Sequence, residues 1–175
     1  MMRKVRTLLL VGALGAALTT LVPATVAADR GIRAVMDGKP ITLEQARSLS
    51  CHDFDFPVLT CFATSQEMEA AAAAKAQAHT RQASGSVEYV TTTGYVIVYV
   101  DGAYGGASRA ISQDYSYLGD IGWNDVISSL RSYGASGRFF EHAPPSGLVY
   151  YFYSTTQVSY VGDIYNDKFS SVDLN

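Results

Sequence analysis

Sequence signals that define several common protein classes are missing from this chain of 175 residues. No segment matches the EF-hand calcium loop, which needs Asp-x-Asp-x-Asp-Gly and a terminal Glu. No serine stands in a Gly-x-Ser-x-Gly nucleophile elbow, and no carboxylate pair is singled out by its spacing. We therefore predict a protein that is not an enzyme.

Basic residues are also scarce, with 13 Lys and Arg against 16 Asp and Glu, so the formal net charge is −3. Three of the basic residues, Arg3, Lys4 and Arg6, lie in the first 28 residues, which contain no acid. Without that segment the net charge becomes −6. This charge argues against a nucleic-acid partner and suits a protein that binds cations.

Long apolar runs are confined to the N-terminus. A basic start, an apolar stretch over residues 7–22 and the small residues 26–28 predict a signal peptide at 1–28. The alternative is an uncleaved anchor helix, but the stretch is short and ends in Pro23 and small residues. We expect a secreted, extracellular protein whose mature chain starts near Asp29 and has no membrane segment after cleavage.

Only two cysteines are present, Cys51 and Cys61, and in an oxidising space we expect them to pair. Closing so short a loop contributes about 3 kcal/mol on a chain-entropy argument. His52, Asp53 and Asp55 lie inside this loop and could form a weak transition-metal set. The interpretation that we favour is a polar rim on the disulfide loop.

Composition changes sharply along the chain. All twelve tyrosines lie beyond residue 88, both cysteines lie before residue 62, and residues 84–86 form a flexible Ser-Gly-Ser joint. We predict an accessory region at 29–84 and a separate domain at 85–175. Capping boxes at residues 42–45 and 64–67 predict two helices, so we expect the first region to be small and mostly helical.

The second region is predicted to be all-β. Residues 95–100 and 148–153 are β-branched and aromatic, and glycines and prolines interrupt the strands at short intervals. Two similar halves favour two Greek-key motifs packed as a sandwich. In the aromatic run 150–153, alternation should bury two rings and expose two. The exposed pair serves either cross-strand packing or the binding of an extracellular protein or glycan.

One signature occurs twice in this region. Residues 123–129 read Trp-Asn-Asp-Val-Ile-Ser-Ser and residues 165–171 read Tyr-Asn-Asp-Lys-Phe-Ser-Ser. The similarity extends upstream to 117 and 160, with Gly122 as the single gap residue. An amide and a carboxylate followed by a hydroxyl provide the oxygen ligands that calcium takes. The alternative is a turn that hydrogen-bonds to its own backbone.

These motifs resemble those of the microbial, calcium-binding βγ-crystallin family. That family opens each Greek key with an aromatic-rich segment ending in glycine, as residues 99–106 do. Residues 140–147 keep the first aromatic and the glycine but have Pro145 where an aromatic is expected. The signature Asn/Asp-Asn/Asp-x-x-Ser/Thr-Ser matches in both copies, and the resemblance covers about half of the chain.

The resemblance implies that each Ca²⁺ lies between the two motifs, with the acid or amide pair of one and the first serine of the other as ligands. The implied side-chain ligands are Asn124, Asp125, Ser128, Asn166, Asp167 and Ser170. The implied carbonyl ligands are Val100, Val126, Glu141 and Lys168. Ser129 and Ser171 are expected to bond within the loops. We expect two unequal sites, because Lys168 raises the potential near one of them and Pro145 alters one opening turn.

A different function is also found on this fold, since small secreted peptidase inhibitors and killer-toxin-like proteins share it. An inhibitor presents a rigid exposed loop, commonly braced by disulfides. The stiff segment at residues 143–146 is a candidate, although the β region contains no cysteine. Inhibition or toxicity therefore remains the alternative to calcium-dependent structure.

Overall fold

The computed structural model describes residues 31–83 and 94–175. The predicted signal peptide at 1–28 and the joint at 84–86 lie outside these ranges. The described chain is mostly β, with two α-helices, α1 (Leu43–Arg47) and α2 (Ser65–Ala83). Neither helix is long and apolar enough to cross a membrane. The strands are β1 (Arg33–Met36), β2 (Lys39–Ile41), β3 (Ser50–Asp55), β4 (Val58–Phe62), β5 (Tyr95–Tyr99), β6 (Ser108–Ile111), β7 (Ser129–Tyr133), β8 (Gly137–His142), β9 (Ser146–Phe152), β10 (Gln157–Val158) and β11 (Ser171–Leu174).

Both helices begin at the predicted capping boxes. The Thr42 hydroxyl accepts a hydrogen bond from Gln45 N, and the Gln45 side chain accepts one from Thr42 N. Thr64 and Glu67 make the same reciprocal pair at the start of α2. These bonds satisfy backbone donors that the first turn of a helix leaves free.

The N-terminal region contains four strands in addition to the two helices, so the expectation of a mostly helical region is incomplete. Strands β3 and β4 form an antiparallel hairpin, and the predicted disulfide between Cys51 and Cys61 joins them. Strands β1 and β2 have only four and three residues. Their hydrogen bonds come partly from a parallel pairing of β1 with β4, which no local sequence pattern shows.

One sheet runs through both regions. Its eight strands have the order β10-β7-β5-β6-β3-β4-β1-β2, and a second sheet has the order β11-β8-β9. The regions meet where β3 pairs in parallel with β6, with Cys51 opposite Arg109. The change in composition near residue 85 therefore does not separate two hydrophobic cores.

The two halves of the C-terminal region exchange short strand segments. Strand β10, from the second half, pairs with β7 of the first half. In return, Tyr115 of the first half forms a β-bridge with Val172 on β11 of the second. This exchange brings the two copies of the Asn-Asp signature close to each other.

The main sheet buries both of its faces. On one face, Met68 and Ala72 of α2 share an apolar cluster with Ile97 of β5. On the other face, Val98 of β5 belongs to a cluster that includes Phe139 of β8 in the three-stranded sheet. The aromatic run on β9 alternates as predicted, since Phe152 is 1% exposed whereas Tyr151 is 60% exposed.

The interpretation of His52 and Asp53 as a polar rim is wrong, because β3 is an interior strand and both residues are buried. Asp53 accepts hydrogen bonds from Ser112 N (2.8 Å), Ser112 Oγ (2.7 Å) and Tyr115 Oη (2.9 Å). Burial raises the pKa of Asp53, and these bonds oppose the shift. Neighbouring side chains on a strand point to opposite faces, so His52 and Asp53 do not converge on one metal.

Candidate metal centre

The two signature loops have the same backbone geometry. Asp125 and Asp167 both adopt a left-handed conformation with φ of 55°, which Asp tolerates better than most residues. Asp125 N donates to Phe169 O (3.0 Å), and Asp167 N donates to Ile127 O (3.2 Å). Each loop is therefore anchored on the backbone of the other.

The two residues whose carbonyls form this anchor are not among the predicted site residues. Ile127 and Phe169 occupy the same position, immediately before the first serine of each signature, and both are buried. An apolar residue repeated at that position was the available signal. Burial of these side chains fixes the carbonyls that hold the two aspartates.

The side chains cross between the loops in the same way. Ser170 Oγ donates to Asp125 Oδ1 (3.2 Å), and Ser128 Oγ lies 3.5 Å from Asp167 Oδ1. Ser128 Oγ also donates to Val100 O (2.7 Å). Two clusters of oxygen atoms result, which we call the Asp125 site and the Asp167 site. Each combines an Asn-Asp pair from one half with a serine from the other half.

The two asparagines complete these clusters. Their amide nitrogens donate to the adjacent carboxylates, Asn124 to Asp125 and Asn166 to Asp167. Asn124 Oδ1 and Asn166 Oδ1 are buried and accept no hydrogen bond. A buried acceptor without a partner destabilises a protein unless another group satisfies it. The same unsatisfied oxygen at equivalent positions fits a cation at each site.

The candidate carbonyl ligands lie beside these clusters. Tyr99 O accepts from Ser128 N (2.9 Å) and Phe140 O accepts from Ser170 N (2.8 Å), which places the next residues, Val100 and Glu141, next to the two serines. The Glu141 side chain turns away and accepts from Leu148 N. The other two candidates, Val126 and Lys168, directly follow the left-handed aspartates, and Lys168 is exposed.

The second serine of each signature, Ser129 or Ser171, forms a hydrogen bond to the backbone of an opening turn. Ser129 Oγ donates to Asp101 O (2.6 Å), and Ser171 Oγ donates to His142 O (2.8 Å). Both hydroxyls are structural, but their acceptors lie in the opening turns, 28 and 29 residues earlier, and not within the signature loops as predicted. The Ser129 bond holds the turn that contains Val100 against β7, and the Ser171 bond holds the turn that contains Glu141 against β11.

The two opening turns differ at their centres but end in the same way. Ala103 and Tyr104 are left-handed (φ of 53° and 63°), whereas the equivalent residues are prolines, whose rings fix φ at negative values. Gly106 and Gly147, at equivalent positions, have φ of +72° and +79°. A Cβ on Gly106 would lie 2.5 Å from Val100 Cγ2 and 2.6 Å from Asp101 Oδ2, so glycine is required there. Proline in the second turn does not remove the corresponding left-handed glycine.

Charge at each candidate site is low. Within residues 31–83 and 94–175, no group of three or more His, Cys, Asp or Glu side chains is arranged to hold a metal. Each cluster has one carboxylate, from Asp125 or Asp167, and both of these residues are exposed. Amide, hydroxyl, carbonyl and water oxygens would have to supply the other ligands. Few charged ligands are typical of weak calcium sites.

No protein-family model matches the chain, and no curated protein matches its sequence. Solved structures do match. A double mutant of a βγ-crystallin domain from Clostridium beijerinckii is 31% identical, with 46% of this chain and 94% of that chain covered and a TM-score of 0.41. A βγ-crystallin from an archaeon is 28% identical, with 47% and 99% covered and a TM-score of 0.43. One from Ciona intestinalis is 26% identical, with 46% and 99% covered and a TM-score of 0.41.

The C-terminal region is a β-sheet module with two similar halves that face each other through duplicated oxygen clusters. Its structural neighbours are βγ-crystallin domains of bacterial, archaeal and Ciona origin. These neighbours are domains of the same family that the sequence motifs resemble.

Proposed function

We propose that this protein is a secreted, non-catalytic calcium-binding protein in which the metal stabilises two packed Greek-key motifs. The observation that carries the proposal is the pair of buried oxygens, Asn124 Oδ1 and Asn166 Oδ1, that lack hydrogen-bond donors at equivalent positions. Each belongs to a cluster with a carboxylate, a serine hydroxyl and nearby backbone carbonyls. Hard, oxygen-preferring cations suit this set.

The arrangement explains how binding would stabilise the fold. Each cluster joins an Asn-Asp pair of one half to a serine of the other half, so a cation would link the two halves. A ligand that binds only the folded state stabilises it by RT ln(1 + [L]/Kd). At about 1 mM calcium and a Kd near 10⁻⁴ M, this gives about 1.4 kcal/mol per site.

Thermal melts with calcium and with chelator, together with calorimetric titration, test the proposal. We expect a higher midpoint with calcium and two binding events. Asp125→Ala and Asp167→Ala should each remove one event and about half of the midpoint shift. Asp37→Asn is a matched control, because Asp37 is an exposed, left-handed residue in the turn between β1 and β2. A flat titration and an unchanged midpoint would refute calcium binding.

Export is a separate part of the proposal. The basic start, apolar stretch and small residues of segment 1–28 support it, as does the disulfide between Cys51 and Cys61. Expression with the native leader in a secreting host should release a protein whose mass corresponds to a chain starting near Asp29. A cell-associated protein that retains the leader would support the anchor-helix alternative.

Peptidase inhibition remains the second candidate, and one observation favours it. The tip of the β8–β9 hairpin, residues 142–148, is exposed and includes Leu148, which is 41% exposed. Such a tip has the shape that can enter a protease cleft. Incubation with metallo- and serine proteases should show no inhibition if the protein only binds calcium. Stoichiometric inhibition that is lost in Leu148→Asp would establish the alternative.

A further inference from the structure

The first signature loop is one residue longer than the second, and the extra residue, Gly122, contacts the N-terminal region. Gly122 has a left-handed backbone (φ +77°), and its carbonyl accepts a hydrogen bond from Arg47 Nε of α1 (3.3 Å). A Cβ on Gly122 would lie 2.8 Å from Arg47 Cγ. The residue that breaks the repeat therefore lies where α1 docks.

A second contact leads from α1 to the same loop. Trp123, which precedes the Asn-Asp pair, is fully buried, and the Arg109 guanidinium lies 5.3 Å from the centre of its ring. Arg109 Nη2 in turn donates to Ala46 O of α1 (3.3 Å). Two consecutive residues of α1 thus support the two residues that precede Asn124.

The second half is supported differently at the equivalent positions. Arg109 lies three residues after the opening glycine Gly106. The residue at the same distance from the second opening glycine, Gly147, is Tyr150. The counterpart of Trp123 is Tyr165, and the Tyr150 and Tyr165 ring centres lie 5.1 Å apart. An aromatic pair inside the β region thus takes the place of the arginine that connects to α1.

We infer that α1 positions the first signature loop and thereby strengthens calcium binding at the Asp125 site, with Arg47 as a positioning residue. The inference rests on the proposed calcium binding. A loop that is already held in its binding geometry loses less conformational entropy when the ligand binds. Releasing the Gly122 carbonyl would let residues 122–125 sample other conformations, and binding would then have to order them.

The charge of Arg47 has the opposite effect on a cation. A positive guanidinium near the site disfavours calcium, although Glu44 pairs with it at 3.2 Å and about half of the Arg47 side chain is exposed. Such a charge is screened over about 8 Å at physiological ionic strength. The two effects therefore predict opposite outcomes when Arg47 is removed, and we expect the contact to dominate.

Single-site proteins separate the two sites. Asp167→Ala should leave the Asp125 site, and Asp125→Ala should leave the Asp167 site. In the first background, Arg47→Ala should raise the calcium Kd about fivefold, as expected for one lost hydrogen bond. In the second background it should change the Kd by less than about twofold. Arg47→Lys keeps the charge but has no donor at the Nε position, so it should cause a similar loss.

Two further variants complete the experiment. Gly122→Ala strains a left-handed position and displaces Arg47, so it should weaken the Asp125 site alone. Arg33→Ala, at an exposed residue of β1, is the matched control and should change neither site. Circular dichroism melts in chelator should show that every variant folds, because Arg47 is not buried.

The possible results are distinguishable. Equal weakening of both sites, or no weakening, would overturn the positioning role while calcium binding stands. Tighter binding in Arg47→Ala with no change in Arg47→Lys would show that charge, and not the contact, governs the site. An unsubstituted protein that binds no calcium would overturn both the proposed function and this inference.

Discussion

Ser170 donates a 3.2 Å hydrogen bond to Asp125, 45 residues earlier in the chain. Its counterpart Ser128 lies 3.5 Å from Asp167. Each candidate site is therefore shared between the two halves, and neither half contains a complete site. The proposed metal binding would consequently be coupled to the packing of the two halves.

The crossing of serines and aspartates predicts which site each serine serves. Ser170→Ala should weaken calcium binding at the Asp125 site, and Ser128→Ala should weaken it at the Asp167 site. We expect about a tenfold loss, the low end for a perturbed metal site. Calorimetry in the single-site backgrounds measures each effect, with Ser146→Ala in the exposed hairpin as the control. The crossed arrangement would be contradicted if Ser128→Ala weakened the Asp125 site or if Ser170→Ala weakened the Asp167 site.

Local sequence signals predicted those parts of the fold that depend on neighbouring residues. The capping boxes at Thr42 and Thr64 mark the helix starts, and the β-branched and aromatic segments become β5 and β9. The four N-terminal strands were missed. They form two local hairpins, β1 with β2 and β3 with β4, but the parallel pairings that build these hairpins into the sheet join distant segments. The parallel contact of β3 with β6, for example, joins Cys51 to Arg109.

In the candidate site, too, the features encoded in short segments could be predicted and those that depend on distant contacts could not. The repeat identified the residues whose oxygens cluster, because that information lies in two short segments. Burial of His52 and Asp53 was not foreseen, since it results from β3 becoming an interior strand. The contact of Arg47 with Gly122 spans 75 residues. Its only signal in the sequence was the one-residue gap in the repeat.

Loss of the disulfide should destabilise the whole described core, because β3 and β4 are interior strands of the main sheet. Replacing both Cys51 and Cys61 by alanine should lower the free energy of unfolding by about 3 kcal/mol on the chain-entropy argument. Chemical denaturation of the variant and the oxidised protein measures the difference. Peptide mapping without reduction should show one linkage, whereas two free thiols or an intermolecular bridge would contradict it.

Burial of His52 predicts a pH dependence of stability. Burial lowers the pKa of His52 below its usual 6.5, with the nearby Asp55 opposing and Lys75 reinforcing the shift. The unfolded chain takes up a proton first as pH falls, so the stabilising contribution is present above 6.5 and is lost as pH falls through the lowered pKa. His52 packs against Phe54 and Phe62, and His52→Phe should preserve that packing.

Denaturant titrations from about pH 7.5 to pH 5 compare His52→Phe with the unsubstituted protein in the range where histidine titrates. We expect the stability of the variant to fall less steeply with decreasing pH. His142→Phe is the control, since the His142 side chain is exposed. Parallel pH profiles for all three proteins would show that His52 does not titrate differently in the folded and unfolded states.

The two candidate sites should also differ in how their proposed calcium binding responds to salt. Lys168 follows Asp167 and is exposed, whereas Val126 occupies the same position after Asp125. An exposed cation near a site raises the local potential only modestly, so Lys168→Ala should tighten the Asp167 site by about twofold at low ionic strength. Val126→Lys is the reciprocal variant and should weaken the Asp125 site to a similar extent. In about 1 M salt, where the screening length is near 3 Å, both effects should disappear. An effect of Lys168→Ala that persisted at high salt would instead indicate a change in loop conformation, because screening removes electrostatic differences but leaves conformational ones.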